Sequence, residues 1–266
     1  MSWKDAINYG KAVLANQGIA ALQTDEHADD NLPLGARIGG LITLQQTPFI
    51  RANTNGGLMP IPEQLSNQIC AISRVRFNAD GQLLRYYLAR GDDEDEAEIY
   101  VQLYQDQHGT ISELMHCTRL TRFIPQTTEL QAAYMGTNDA GLGEPSYTIY
   151  KQQLSELDYS TDELAVIFGE ADQLTYQRDA GSESDQFIAP FNGTETRIDD
   201  SNGERGLQQQ LYYMPYVRIL NDQQTKEYLF ISTEIIQSQN GDPSKRAIYV
   251  NFMIALALDL ERISIQ

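Results

Sequence analysis

Residues 248–258 read Ile-Tyr-Val-Asn-Phe-Met-Ile-Ala-Leu-Ala-Leu. Ile248, Val250, Phe252, Ile254, Leu256 and Leu258 occupy every second position without a break. A helix would spread these side chains around its whole surface, whereas a strand puts them on one face. The stretch is therefore a core strand that ends near Asp259. Working backwards, the same period of two runs through Lys226 to Ile236 and Leu207 to Leu220, which flank Asn221-Asp222-Gln223-Gln224 as a hairpin. Ile69 to Phe77 and Gln82 to Arg90 form a second pair around Asn78-Ala79-Asp80-Gly81, where Asp-Gly favours a tight reversal. A third pair joins Ile99–Tyr104 to Thr110–Ile124 across a turn at Asp106 to Gly109.

Less regular stretches lie between these hairpins. Ile38 to Leu44, Phe49 to Ala52 and Tyr147 to Tyr150 read as short strands. Thr127 to Tyr134 reads as a short threonine-capped helix. Asp162 to Phe168 fits a helix or a strand equally, and Gly181 to Gly206 reads as a long polar surface loop. At the start of the chain, Ser2 to Leu22 reads as a helix with Trp3, Ile7 and Leu14 on one face. The acidic stretch to Asn31 is a solvated linker. The expected fold class is α+β, predominantly antiparallel β, with several tyrosine-rich hairpins, an N-terminal helix and one or two short helices. The expected organisation is a helix and linker over residues 1–31 and a β-rich body over 32–266. The glycines around Gly136 to Pro145 would divide that body into sub-domains 32–136 and 145–266.

Composition narrows the function. Asp and Glu number 37 against 19 Lys and Arg, a net charge of −18, which repels phosphate backbones and anionic lipid heads. No run reaches the ~18 apolar residues of a membrane-spanning helix, and no secretory signal pattern opens the chain. Two cysteines, Cys70 and Cys117, fit a reducing cytoplasm.

Motifs that carry chemistry are incomplete. His116 and Cys117 are adjacent, so on a strand they face opposite ways and cannot share a metal. No Gly-x-Ser-x-Gly elbow or phosphate-binding loop occurs. Gly141-Leu142-Gly143 lacks the third glycine of a dinucleotide loop. Around Asp200 and Asn202 a calcium loop would need an acid where Ile198 stands, so a solvated turn is the better reading. Asn192-Gly193-Thr194 matches a glycosylation sequon and reads as a turn. No catalytic, cofactor-binding or metal-binding residue is assigned, and no cofactor is expected. Of the 15 tyrosines, Tyr86, Tyr87, Tyr100, Tyr104, Tyr212, Tyr213 and Tyr216 fall on expected strands, where most suit half-buried sheet faces and a minority an interaction surface.

Leu32-Pro33-Leu34-Gly35-Ala36-Arg37-Ile38-Gly39-Gly40, the Ile72–Leu88 hairpin and the closing Ala255–Ile265 segment resemble the YjfK-like bacterial proteins, a family of unknown function. The resemblance runs from about Leu32 to the C-terminus and supplies no catalytic or ligand residues. By association with membrane-remodelling and envelope proteins, it implies an accessory role in envelope stress or maintenance. The expectation is thus a cytoplasmic interaction protein with protein partners, no nucleic acid and only indirect membrane contact, the motifs pointing away from an enzyme. The alternative is a carboxylate-based hydrolase or a small-ligand binding protein.

Overall fold

The computed structural model describes residues 27–78, 81–89, 98–157, 159–181, 186–236 and 247–266. The N-terminal helix expected over Ser2 to Leu22 and most of the acidic run from Gly91 lie outside the described residues. The strands are β1 (Leu41–Thr43), β2 (Ser66–Phe77), β3 (Gln82–Leu88), β4 (Ile99–Gln105), β5 (Ile111–Phe123), β6 (Ser146–Tyr150), β7 (Gln173–Arg178), β8 (Phe191–Ile198), β9 (Gly206–Ile219), β10 (Lys226–Ile236), β11 (Ala247–Ala257) and β12 (Ser264–Ile265). Four short helices accompany them: α1 (Thr47–Thr54), α2 (Thr128–Tyr134), α3 (Lys151–Ser155) and α4 (Thr161–Phe168).

Eight strands close on themselves. Around the circuit they run β2, β3, β4, β5, β11, β10, β9 and β8, and β8 pairs back onto β2, each neighbour antiparallel. The α+β expectation is therefore corrected. The protein is a closed antiparallel β-barrel to which a few short helices are added. The physical reason is edge satisfaction: open hairpins leave rows of unpaired N–H and C=O groups, and closure pairs them all. Strands from before and after Gly136–Pro145 contribute to the same barrel. β1 and β12 extend the sheet beyond the start of β2, and β7 and β6 extend it beyond the end of β9.

Closure depends on β8, which falls inside the stretch read as a loop. Its inward positions are Gly193 and Glu195, so it shows no apolar alternation. A Cβ on Gly193 would lie 2.5 Å from the Arg76 carbonyl oxygen and 2.7 Å from the Phe77 ring. Glycine here marks close approach within a strand, and the sequon is part of β8, not a turn. Phe49–Ala52, read as a strand, belongs to α1, which has Pro48 in its first turn, where a missing N–H costs nothing. Asp162 to Phe168 resolves as α4. Ser160 accepts from the Glu163 N–H while the Glu163 carboxylate accepts from the Ser160 N–H, a reciprocal cap.

Strand register separates two cores. The inner one carries Val75, Leu83, Tyr87, Tyr100, Cys117, Tyr213, Phe230 and Met253. The larger, outer one lies between the barrel wall and the segments 32–59 and 142–180, and includes Phe49, Met59, Ile72, Tyr86, Ile167, Tyr176, Tyr216 and Phe252. Register shifts, one of them between Tyr104 and Gln105, keep each face consistent. Ile69 pairs with Leu88 and Ala71 with Tyr87, so Cys70 is the extra residue of a bulge, which leaves it exposed. A further shift falls between Phe252 and Met253. Among the described residues no helix is long and apolar enough to cross a membrane.

Candidate functional site

The inner core is unusual in its polarity. Arg85 from β3 and Glu195 from β8 meet inside the barrel at 2.9 Å, with their side chains 2% and 1% exposed. Register places them there, since Arg85 pairs with Ser73 and Gln102, and Glu195 with Val75 and Gln209. Glu195 accepts four hydrogen bonds. Oε1 receives Ser73 Oγ (2.5 Å) and Tyr87 OH (2.9 Å), while Oε2 receives Arg85 Nη1 and Gln209 Nε2, both at 2.9 Å. Arg85 Nε also donates to Gln102 Oε1 at 3.0 Å, and its guanidinium lies 4.9 Å from the centre of the Tyr100 ring. Burial alone would lift the Glu195 carboxyl, but the Arg85 charge and the donors from Ser73, Gln209 and Tyr87 override it and hold the carboxyl below its usual range.

A second carboxyl, Glu234 of β10, sits in the same barrel with the opposite bias. Burial and then the charge of Glu195 push it up to about 7, against the pull of Arg122 and Arg85. Arg122 Nη2 reaches it at 2.9 Å and Ser232 Oγ at 3.4 Å. Asn251, which pairs with Ser232 on the neighbouring strand, is 1% exposed, and neither polar atom of its side chain has a partner among the described residues.

A carboxyl whose folded value is raised favours folding fully below its ordinary value near 4.5. That contribution is lost as pH rises through about 7. Stability is therefore expected to fall between pH 5 and pH 8 through Glu234. Glu234→Gln should remove that fall and leave the variant about 1–3 kcal/mol more stable relative to wild type at pH 8 than at pH 5. Urea unfolding at the two pH values checks this, and parallel wild-type and variant profiles would contradict it.

Outside the barrel, a second carboxylate fixes a loop to the wall. Glu227 of β10 is fully buried. Its Oε1 accepts from Arg218 Nη2 (2.7 Å), Arg218 Nε (2.9 Å) and Tyr176 OH (2.8 Å). Its Oε2 accepts from the backbone N–H of Leu58 (2.5 Å) and Met59 (3.3 Å). Arg218 Nη2 also donates to the Gly56 carbonyl at 2.6 Å. Gly56 has φ +78°, and a Cβ on Gly57 would sit 2.8 Å from the Ala52 carbonyl oxygen. The Gly56-Gly57 turn is what lets two successive N–H groups point at one carboxylate.

That loop forms one wall of a groove of about 440 Å³, with α4 as the other. Leu58, Met59 and Ile167, themselves buried, lie beneath it, the half-buried Leu157 and Tyr159 line it, and Asp162 and Glu163 stand at the α4 end. Tyr159 OH donates to the Leu58 carbonyl at 3.4 Å. Val166 lines the groove and is 55% exposed.

The residues considered from sequence are dispersed. Cys117 lies in the inner core with its thiol pushed up by burial, while His116 packs edge-on against Phe49 at 4.9 Å. His27 contacts Asn202, and His108 sits in the turn capped by Asp106. Asp200 accepts from the N–H groups of Asn202, Glu204 and Arg205, closing the β8–β9 turn on itself. Among the described residues no three of His, Cys, Asp and Glu converge as metal ligands. Several tyrosines expected to be half-buried, Tyr86, Tyr213 and Tyr216 among them, are fully buried. The Arg85–Glu195 and Glu227 clusters were missed from sequence. The available signal was a charged or amide residue recurring on one face of an alternating strand, as Arg85 does beside Leu83 and Tyr87.

The fold and its clusters define an eight-stranded β-barrel with a polar interior built around the Arg85–Glu195 pair and an external groove. The chain belongs to the family described as Protein of unknown function (DUF2491), whose model matches residues 20–261. No curated protein and no solved structure matches the chain.

Proposed function

We propose that the protein is a non-catalytic binding protein that works through protein partners docking at the groove between the 56–60 loop and α4. The observation that carries this reading is a rigidly mounted apolar groove with an exposed Val166 at its edge. Partner-binding surfaces are built from apolar anchors with polar rims. The net charge of −18 argues against nucleic acid as the partner. A cytoplasmic accessory role in bacterial envelope stress or maintenance, with membrane contact only through partners, rests on the YjfK-like resemblance alone.

A second reading, a carboxylate-based hydrolase or small-ligand binder, draws its support from the opposite biases of Glu195 and Glu234, the pattern of an acid and base pair. It is the weaker one, because each Glu195 oxygen already accepts two hydrogen bonds from the protein itself.

Co-purification followed by mass spectrometry separates the readings. Val166→Glu places a charge at an exposed position, so the fold should survive with an unchanged melting temperature. A partner recovered with wild type should be lost with Val166→Glu. Identical recovery from both proteins, or no reproducible partner at low salt, would overturn the groove as a docking site.

A further inference from the structure

α1 lends Asn53 to the groove described above and Thr47, Pro48 and Arg51 to a second one, of about 400 Å³. The β9–β10 turn, the end of β11 and the chain after it supply the other walls. Pro48, Leu258 and Ile263, each half-buried, form its apolar lining. Three exposed cations stand around it, Arg51, Lys226 and Arg262, and among the described residues Asp259 is the one acid that lines it. In a chain of net charge −18 such a gathering is opposite in sign to the molecule as a whole. The fold does not use these charges up. Neither Arg51 nor Lys226 forms an ion pair among the described residues. Asp222 feels Arg51 weakly, and its carboxylate already accepts the Gln224 and Thr225 N–H groups and the Thr225 hydroxyl. Arg262 Nε meets Asp259 Oδ2 at 3.1 Å, and its Nη1 donates to Gln45 Oε1 at 3.4 Å. The chain's own Asp259 thus shows the chemistry this rim takes, a carboxylate. α1 also opens here without a side-chain cap from Gln46, which adds the positive end of its dipole.

We propose that this second groove binds an acidic, apolar-containing peptide segment of a protein partner. The segment's carboxylates pair with Arg51, Lys226 and Arg262, and an apolar side chain between them packs on Pro48, Leu258 and Ile263. Charge complementarity at contact range selects this occupant. Repulsion from the remoter acids of the chain is screened beyond about 8 Å at physiological salt, so the three local cations decide the sign of the interaction. A nucleic acid fits less well, because its regularly spaced phosphates would continue past three cations onto an acidic surface.

An array of short peptides mixing aspartate and glutamate with leucine and phenylalanine, beside matched peptides with lysine in place of the acids, tests this on the full-length protein. Wild type should be captured by the acidic peptides and not by the lysine ones. Lys226→Glu and Arg51→Gln lie at exposed positions, so each should weaken capture severalfold at an unchanged melting temperature. Asp259→Asn keeps an oxygen to accept the Glu261 N–H but releases Arg262, so it should strengthen capture. Val166→Glu should leave capture unchanged, which keeps this test separate from that of the first groove. Capture that is equal for acidic and lysine-bearing peptides, or indifferent to Lys226→Glu and Arg51→Gln, would overturn the inference. Loss of capture with Val166→Glu would also overturn it, because the peptides would then occupy the first groove. So would tighter binding to phosphatidylglycerol vesicles that Lys226→Glu and Arg51→Gln abolish, which would assign these cations to a lipid surface.

Discussion

Arg85→Met is expected to lower the unfolding free energy at pH 8 by about 3–5 kcal/mol, the range for stripping one partner from a buried ion pair. The substitution keeps an unbranched apolar stem of similar reach, so the packing against Tyr100 is changed little and the electrostatic loss dominates. What remains is a carboxylate with 1% of its side chain exposed, inside a closed barrel, with Ser73, Tyr87 and Gln209 as donors and no cation. In the wild type the folded value of Glu195 is depressed. Its contribution is therefore present above the ordinary value near 4.5 and is lost as pH falls through the folded one. Without Arg85 burial prevails, the folded value rises, and the sign reverses. The deficit of Arg85→Met should then shrink as pH is lowered from 8 to 5. Urea unfolding of both proteins at those two pH values measures it. A deficit below about 1 kcal/mol at pH 8, or one that does not change with pH, would show that the pair is solvated in a way its burial denies.

The same pair explains why the barrel was only half legible in the sequence. The alternation of Ile248–Leu258 and of the three hairpins marks strands correctly, because one face of each packs on the larger outer core. Alternation says nothing about the other face when that face is also buried but carries Arg85, Gln102, Glu195 and Glu234. Read residue by residue, those positions look solvent-facing, so they mark half-buried strands and give no sign of a closed interior. β8 is the extreme case. Its inward Gly193 and Glu195 and its outward Asn192, Thr194 and Thr196 contain no apolar alternation, so the strand that closes the barrel reads as a loop. The Gly56-Gly57 turn, by contrast, shows in the sequence, since Asn53-Thr54-Asn55-Gly56-Gly57 is a dense run of turn-forming residues. Its purpose does not, because Glu227 lies 169 residues from Leu58. Long-range pairing of a turn with a buried acid leaves no local trace.

Glu227→Ala is expected to have the second large effect, and it links stability to the groove. The substitution leaves the Arg218 guanidinium, 11% exposed, without its carboxylate. It also leaves the Tyr176 hydroxyl and the N–H groups of Leu58 and Met59 without an acceptor. Breaking a buried pair in this way costs about 3–5 kcal/mol, and each orphaned buried donor adds to the cost. Glu227→Gln should cost less, since its amide oxygen still serves one set of donors while its nitrogen serves none. The two variants together separate a general loss of stability from release of the loop. In Glu227→Gln, where the barrel is expected to stay folded, amide exchange at Leu58 and Met59 should accelerate far more than at Val250 or Ile254 in β11. Retention of a partner that depends on Val166 should fall with it, because one wall of the groove would no longer be held against α4. Unchanged protection at Leu58 in Glu227→Gln would mean that Tyr159, the Gly56–Arg218 contact and apolar packing hold the loop by themselves. The carboxylate would then serve the barrel and not the groove.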